Sequence, residues 1–220
     1  MALSKVDFNN INVTPAASKK LKWNSSANGF ETGDVGGSMV LLSTQTASSS
    51  STISFTSDID STYKEYIFTF MDIHPGSNAT FGFQVDTGTN TSYAQEIVST
   101  TFRAYHNEAG TDTSLAYASG DDQPQSGETA SSLAPQDLAL ISTSNDDSAS
   151  GYLHLFNPSS STFVKNFFAV SNGVKALSGQ YSYHMFTAGY VNTATAITRV
   201  QFKCNTGNID AGTIKMYGVT

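Results

Sequence analysis

The sequence predicts an all-β fold: an antiparallel, jelly-roll-like β-sandwich over residues 37–220, preceded by an N-terminal arm of residues 1–36. Three observations predict it. Apolar residues recur with period two, as in Phe81, Phe83 and Val85 and again in Val200, Phe202 and Cys204, the repeat of a strand with one buried face. Clusters of Gly, Asn, Asp, Ser and Pro separate such runs along the chain. From Ser38 onward no stretch carries a convincing helical repeat, and no fixed-period repeat marks a solenoid or propeller.

In the arm, Thr14-Pro15 is a fair helix start, a capping hydroxyl followed by proline in the first turn. Residues 16–23 then read as one or two helical turns or as an irregular segment, broken by Asn28-Gly29 and Gly33-Asp34-Val35-Gly36-Gly37. Strands are predicted over 39–44, 52–56, 64–72, 79–86, 93–106, 151–156, 162–171, 180–190, 197–204 and 212–219, with a long loop from Ser119 to Pro135. The strand near Phe163 to Val170 offers apolar side chains to both faces, which calls for a second sheet on one side and a partner chain or loop on the other. The last two strands, joined by Gly207-Asn208 and Ala211-Gly212, read as a terminal hairpin.

Charged residues make up 13% of the 220, well under the quarter usual for soluble domains, and 31 Ser with 26 Thr take their place. Hydroxyls at that density suit outward strand positions and turns. A hydrophobic content of 39% and 24 Phe and Tyr residues need a core and argue against disorder. Four of the eleven bases (Lys5, Lys19, Lys20, Lys22) fall in the first 22 residues, and none lies between Arg103 and Lys165, a stretch with eight acids. A net charge of −7 so distributed argues against nucleic-acid binding through a basic face. Cys204 is the sole cysteine, so the fold rests on packing without an intrachain disulfide, and its alternation with Val200 and Phe202 predicts a buried, unreactive thiol. Met1 to Asp7 lacks the apolar core of a signal peptide, and no stretch approaches the roughly 18 apolar residues of a membrane span. Synthesis in a cytoplasm without membrane insertion is the expectation.

Little in the sequence points to catalysis. His74, His106, His154 and His184 lie at no metal-ligand spacing, and each sits in or beside an aromatic strand. Asp121-Asp122 and Asn145-Asp146-Asp147 offer oxygens but lack the alternating loop and terminal Glu of a calcium motif. Glu65, Glu96 and Glu108 are acids in or near strands, of which a glycosidase would need two facing across a cleft. There is no Gly-Xaa-Ser-Xaa-Gly elbow, P-loop or dinucleotide turn. The expectation is a protein that is not an enzyme and uses no cofactor or metal. As a carbohydrate-binding module it would stack sugars on Tyr63, Tyr66, Tyr93, Tyr105 or Tyr117.

The run Gly207-Asn208-Ile209-Asp210-Ala211-Gly212-Thr213-Ile214-Lys215-Met216-Tyr217-Gly218 resembles the C-terminus of a family of small virion proteins. They are encoded by tailed phages of marine and freshwater bacteria such as cyanobacteria. Asn24 to Asp34, Ile59 to Tyr66, Phe102 to Glu108 and Leu153 to Ser159 resemble the same family, so the likeness samples nearly the whole chain. No catalytic or binding residue comes with it.

The resemblance implies a non-enzymatic virion structural protein, displayed on the particle surface as a short tail fibre, tip or knob. A capsid decoration (cement) protein and a carbohydrate-binding receptor-recognition module are the alternatives. Other virion proteins are the expected partners, with a homotrimer as the expected assembly and a host surface glycan as a further ligand. Anchoring falls to the arm. Phe8, Ile11, Val13 and Trp23 are apolar groups without a periodic home, and Lys19, Lys20 and Lys22 suit an acidic neighbour.

Overall fold

Two units make up the chain, Met1–Val40 and Leu41–Thr220. The structure, a computed structural model, describes residues 19–26, 28–34, 38–88, 92–123, 135–176 and 179–219. Among these residues there are fourteen strands and no helix. The first unit holds a hairpin of β1 (Lys19–Trp23) and β2 (Phe30–Asp34). The predicted helical turns, or irregular arm, over 16–23 are therefore corrected from Lys19 onward. Lys20 and Lys22 alternate with Leu21 and Trp23, and that alternation is a strand signal. Trp23 pairs with Phe30, their rings stacked with centroids 4.5 Å apart, and Asn24 N donates to Gly29 O across the turn.

The remaining strands are β3 (Met39–Thr46), β4 (Ile53–Phe55), β5 (Glu65–Pro75), β6 (Ala79–Thr87), β7 (Ile97–Asn107), β8 (Thr113–Tyr117), β9 (Gln136–Ile141), β10 (Ala149–Phe156), β11 (Lys165–Ala176), β12 (Gln180–Val191), β13 (Ile197–Cys204) and β14 (Ile209–Val219). They form an eight-stranded sheet, β3-β14-β5-β10-β11-β12-β7-β8, and a four-stranded sheet, β4-β13-β6-β9. Every pairing with a resolved register is antiparallel.

Within these orders lies a jelly roll. Read along the two sheets, β3 and β4, β14 and β13, β5 and β6, and β10 and β9 occupy matching ranks. Consecutive strands thus cross from one sheet to the other, as two interlocked Greek keys require. Two hairpins stand outside that scheme: β7–β8 between β6 and β9, and β11–β12 between β10 and β13. Both join the larger sheet beyond β10, doubling its width.

The core lies between the sheets. Phe68 of β5 meets Phe55 of β4 and Phe202 of β13, and Phe70 meets Phe81 of β6, at ring-centroid distances of 5.2–5.5 Å. Phe83 packs edge-on against Phe167 of β11 at 5.1 Å. Burying each ring contributes about 1.5–3 kcal/mol, the main favourable term for a chain with no disulfide. Cys204 sits in this core at 2% exposure, with Val200 and Phe202 on the same face, as its alternation predicts.

The terminal hairpin is not found. β13 belongs to the four-stranded sheet and β14 to the eight-stranded one, so residues 205–208 arch between sheets. Gly207 holds the arch with φ +68°, and its backbone neighbours bond across to β6 and to the β5–β6 arch: Asn205 N donates to Thr80 O, and Gly76 N to Asn208 O, each at 2.9 Å.

Candidate functional site

Outward side chains of the eight-stranded sheet form the most distinctive surface. In β7, β10, β11 and β12 the odd-numbered residues point to the interior and the even-numbered ones outward, while in β8 the odd-numbered ones share the outward face. The register then aligns one row across five strands: Tyr117 beside Phe102, Phe102 beside Phe186, Phe186 beside Val170, Val170 beside Tyr152. Phe102 and Phe186 stack with centroids 5.0 Å apart and planes at 11°. In the next row Phe168 stacks on His154 at 4.4 Å, and Phe156 leans against Phe168 at 5.7 Å.

Each strand supplies a ring for a local reason, since aromatic residues favour the pleated surface and gain from cross-strand pairing. What is unusual is the exposure. Phe102 keeps 46% of its surface accessible and Tyr117 58%. Between the Phe102–Phe186 stack and Phe168 lies a groove of about 120 Å³, floored by Val170, Ala188 and Thr100. Glu65 bonds His154 Nδ1 at the border of the face, and Tyr117 donates its hydroxyl to Asp122 at the other border.

On the inner side of the same extension a polar network adjoins a buried cluster of Leu140, Tyr181, Tyr183 and Met185. Arg103 Nη1 donates to Asp121 Oδ2 at 2.7 Å, and Gln136 Nε2 donates to Asp121 O at 2.9 Å. Ser99 Oγ bonds Gln136 Oε1, and Thr101 and Thr187 share a hydroxyl contact of 3.2 Å. Asp137 is largely shielded here, and burial, with Asp121 nearby, pushes its pKa up to about 7 against the opposing pull of Lys175. Lys165 is fully buried, its Nζ donating to Phe163 O and Thr193 O, and desolvation lowers its pKa.

Of the predicted anchoring residues, Lys19, Lys20, Lys22 and Trp23 lie together on β1, every residue of which is exposed. Trp23 is 61% accessible, and Lys22 pairs with Glu31 at 3.1 Å. Phe8, Ile11 and Val13 lie outside the described residues. The four histidines take separate places. Nδ1 of His74 lies 2.7 Å from Asp147 O, His154 meets Glu65, His184 sits edge-on to Phe186, and His106 is exposed. Among the described residues no group of three or more His, Cys, Asp or Glu side chains is placed to hold a metal ion. Of the tyrosines considered for sugar stacking, Tyr66 and Tyr93 are buried, while Tyr117 is the one in the exposed row. Phe102, Phe186 and Tyr152 were not singled out by sequence reasoning, since each is one outward residue of a separate strand.

Comparison with models of known protein families, with curated proteins and with solved structures finds no match.

Proposed function

We propose that this chain is a non-enzymatic virion structural protein of a tailed phage, made in the host cytoplasm and displayed on the particle surface as a short tail fibre, tip or knob. One observation carries the structural role: a jelly roll widened on one side to present an outward face of aromatic rings from five strands, with Phe102 stacked on Phe186 and Phe168 on His154. Contiguous exposed apolar surface of this kind marks an interaction site. The placement on a tailed phage rests on the family resemblance of Gly207 to Gly218 and the other stretches that share it.

In this reading the arm attaches the domain to a neighbouring virion protein. Trp23 and Phe30 supply apolar contact, and Lys19, Lys20 and Lys22 steer docking toward an acidic surface. Exposed ion pairs contribute only about 0–1 kcal/mol each, so the rings carry the affinity. The sandwich faces outward as a homotrimer. A second reading, a carbohydrate-binding receptor-recognition module, draws on the exposed rings of Phe102 and Tyr117.

Reconstruction of the purified particle by electron microscopy tests the proposal. The sandwich should fit density at the tail. Density on the capsid lattice would replace the tail role with capsid decoration, and absence of the chain from the particle would end the virion reading.

A further inference from the structure

We propose that the outer face of β10, β11, β12, β7 and β8 is the surface on which copies of this chain dock on one another. The inference stands on the surface itself and does not depend on where in a particle the chain is mounted.

Charge is the first argument. The outward residues of these strands are the even-numbered ones from Val98 to His106, Ser150 to Phe156, Asn166 to Val174 and Ser182 to Tyr190, with Thr113, Leu115 and Tyr117 of β8. None is Asp, Glu, Lys or Arg. The chain as a whole carries −7, so random approach of two copies brings together surfaces of the same sign. The carboxylates nearest to this face, Glu65 on His154 and Asp122 on Tyr117, lie at its two borders, so the middle of the face can be buried without desolvating a formal charge, the costly step in burying charged surface.

Shape is the second argument. The groove beside Phe186 measures about 120 Å³, against ~300–1,000 Å³ for pockets that bury a small-molecule ligand. Its lining is almost wholly apolar, with Thr100 as the lining residue whose polar side chain is on the outward face, since the Thr187 hydroxyl is turned inward to Thr101. A sugar needs several hydrogen-bond partners, which this groove does not offer. An apolar side chain from a facing protein surface needs none.

The sheet edge is the third. β8 is the last strand of the large sheet, bonded only to β7 among the described strands, and its outward Leu115 is 74% exposed. Proteins usually blunt such an edge with Lys, Pro or a bulge, and Thr113-Ser114-Leu115-Ala116-Tyr117 has no Lys or Pro. The unblunted edge continues directly into the aromatic row through Tyr117 and Phe102. A self-complementary face of this kind leads to a closed symmetric assembly.

Sedimentation of the full-length chain at micromolar concentration tests the inference. The wild type should run as a closed oligomer whose association is not weakened by high salt, since no ion pair holds it. Phe186→Lys and Leu115→Lys should each weaken association by about thirtyfold or more, the loss expected at a buried hot spot. At a concentration dilute enough to keep wild type and variants monomeric, melting temperature should be unchanged in both. Lys203→Glu, on the outward face of the four-stranded sheet, should leave association as it was. Should Phe186→Lys also lower the melting temperature, Leu115→Lys decides alone, because that side chain is three-quarters free. A monomeric wild type, an oligomer dispersed by salt, or one indifferent to both substitutions overturns the inference. Binding of neutral oligosaccharides by a monomeric wild type, abolished by Phe186→Lys, would assign the face to glycan instead.

Discussion

Arg103 of β7 reaches across the inner side of the widened sheet to Asp121, Nη1 to Oδ2 at 2.7 Å, with its guanidinium carbon 5.7 Å from the Tyr183 ring centroid. The contact ties the segment after β8 to the strands beneath it. Asp121 retains only 11% of its side-chain surface, so the pair is shielded on the acid's side and open on the arginine's.

Replacing Arg103 by alanine leaves that carboxylate without its cation. Breaking a fully buried pair costs about 3–5 kcal/mol, and the partial exposure of Arg103 brings the expected loss down to roughly 1–3 kcal/mol. Urea denaturation checks it as a lowered midpoint. An unchanged midpoint would mean that solvent screens the contact.

Asp137 should make stability depend on pH in the less usual direction. Its folded pKa of about 7 lies above the unfolded value, so the folded chain holds a proton that the unfolded chain releases. The resulting stabilisation is present below about pH 4 and is lost as pH rises toward 7, with a ceiling of a few kcal/mol. Asp137→Asn, neutral throughout, should flatten that slope. Denaturation of both proteins across the window compares them directly, and parallel slopes would refute the assignment.

Cys204 should resist thiol reagents in the native protein and react fully once the chain is unfolded. Burial, reinforced by Asp210, pushes its pKa up to about 11, which leaves little thiolate near neutrality. Rapid native labelling would show that β13 opens locally.

Gly212→Ala should destabilise the sandwich by about 1–3 kcal/mol. Gly212 has φ +123°, and a Cβ there would lie 2.8 Å from Ile73 Cδ1 and 2.9 Å from Asp72 O. Thermal melting reads the loss directly.

Deleting residues 1–36 tests the anchoring proposal. On that proposal the truncated chain still folds, with little change in melting temperature, and no longer enters particles. Loss of the cooperative transition on truncation would make the arm part of the fold.

Much of the sandwich is legible in the sequence because strands with one buried face announce themselves by alternation, as β6 and β13 do. β8 does not: Thr113, Leu115 and Tyr117 point outward, Ala116 is exposed as well, and no apolar repeat results. β9 is hidden for the opposite reason, since Gln136 and Asp137 are polar residues drawn into a shielded network beside the long loop. The supposed terminal hairpin shows a different limit. A short turn between two strands has the same local chemistry whether it joins neighbours in one sheet or arches between two. The aromatic face was least legible of all. Its rings come one or two to a strand from two separate stretches of the chain, β7–β8 and β10–β12, and only the two-sided apolarity of β11 hinted at it.

β14 lies between β3 and β5 in its sheet, and β13 lies between β4 and β6 in the other. During synthesis, then, neither sheet can become continuous when its early strands emerge. At ribosomal speeds β14 follows β5 by on the order of ten seconds. Throughout that interval β3, β4, β5 and β6 present bare backbone edges of the kind that recruit foreign strands. Premature termination before Ile209 would release a product with a slot open in its larger sheet, between β3 and β5.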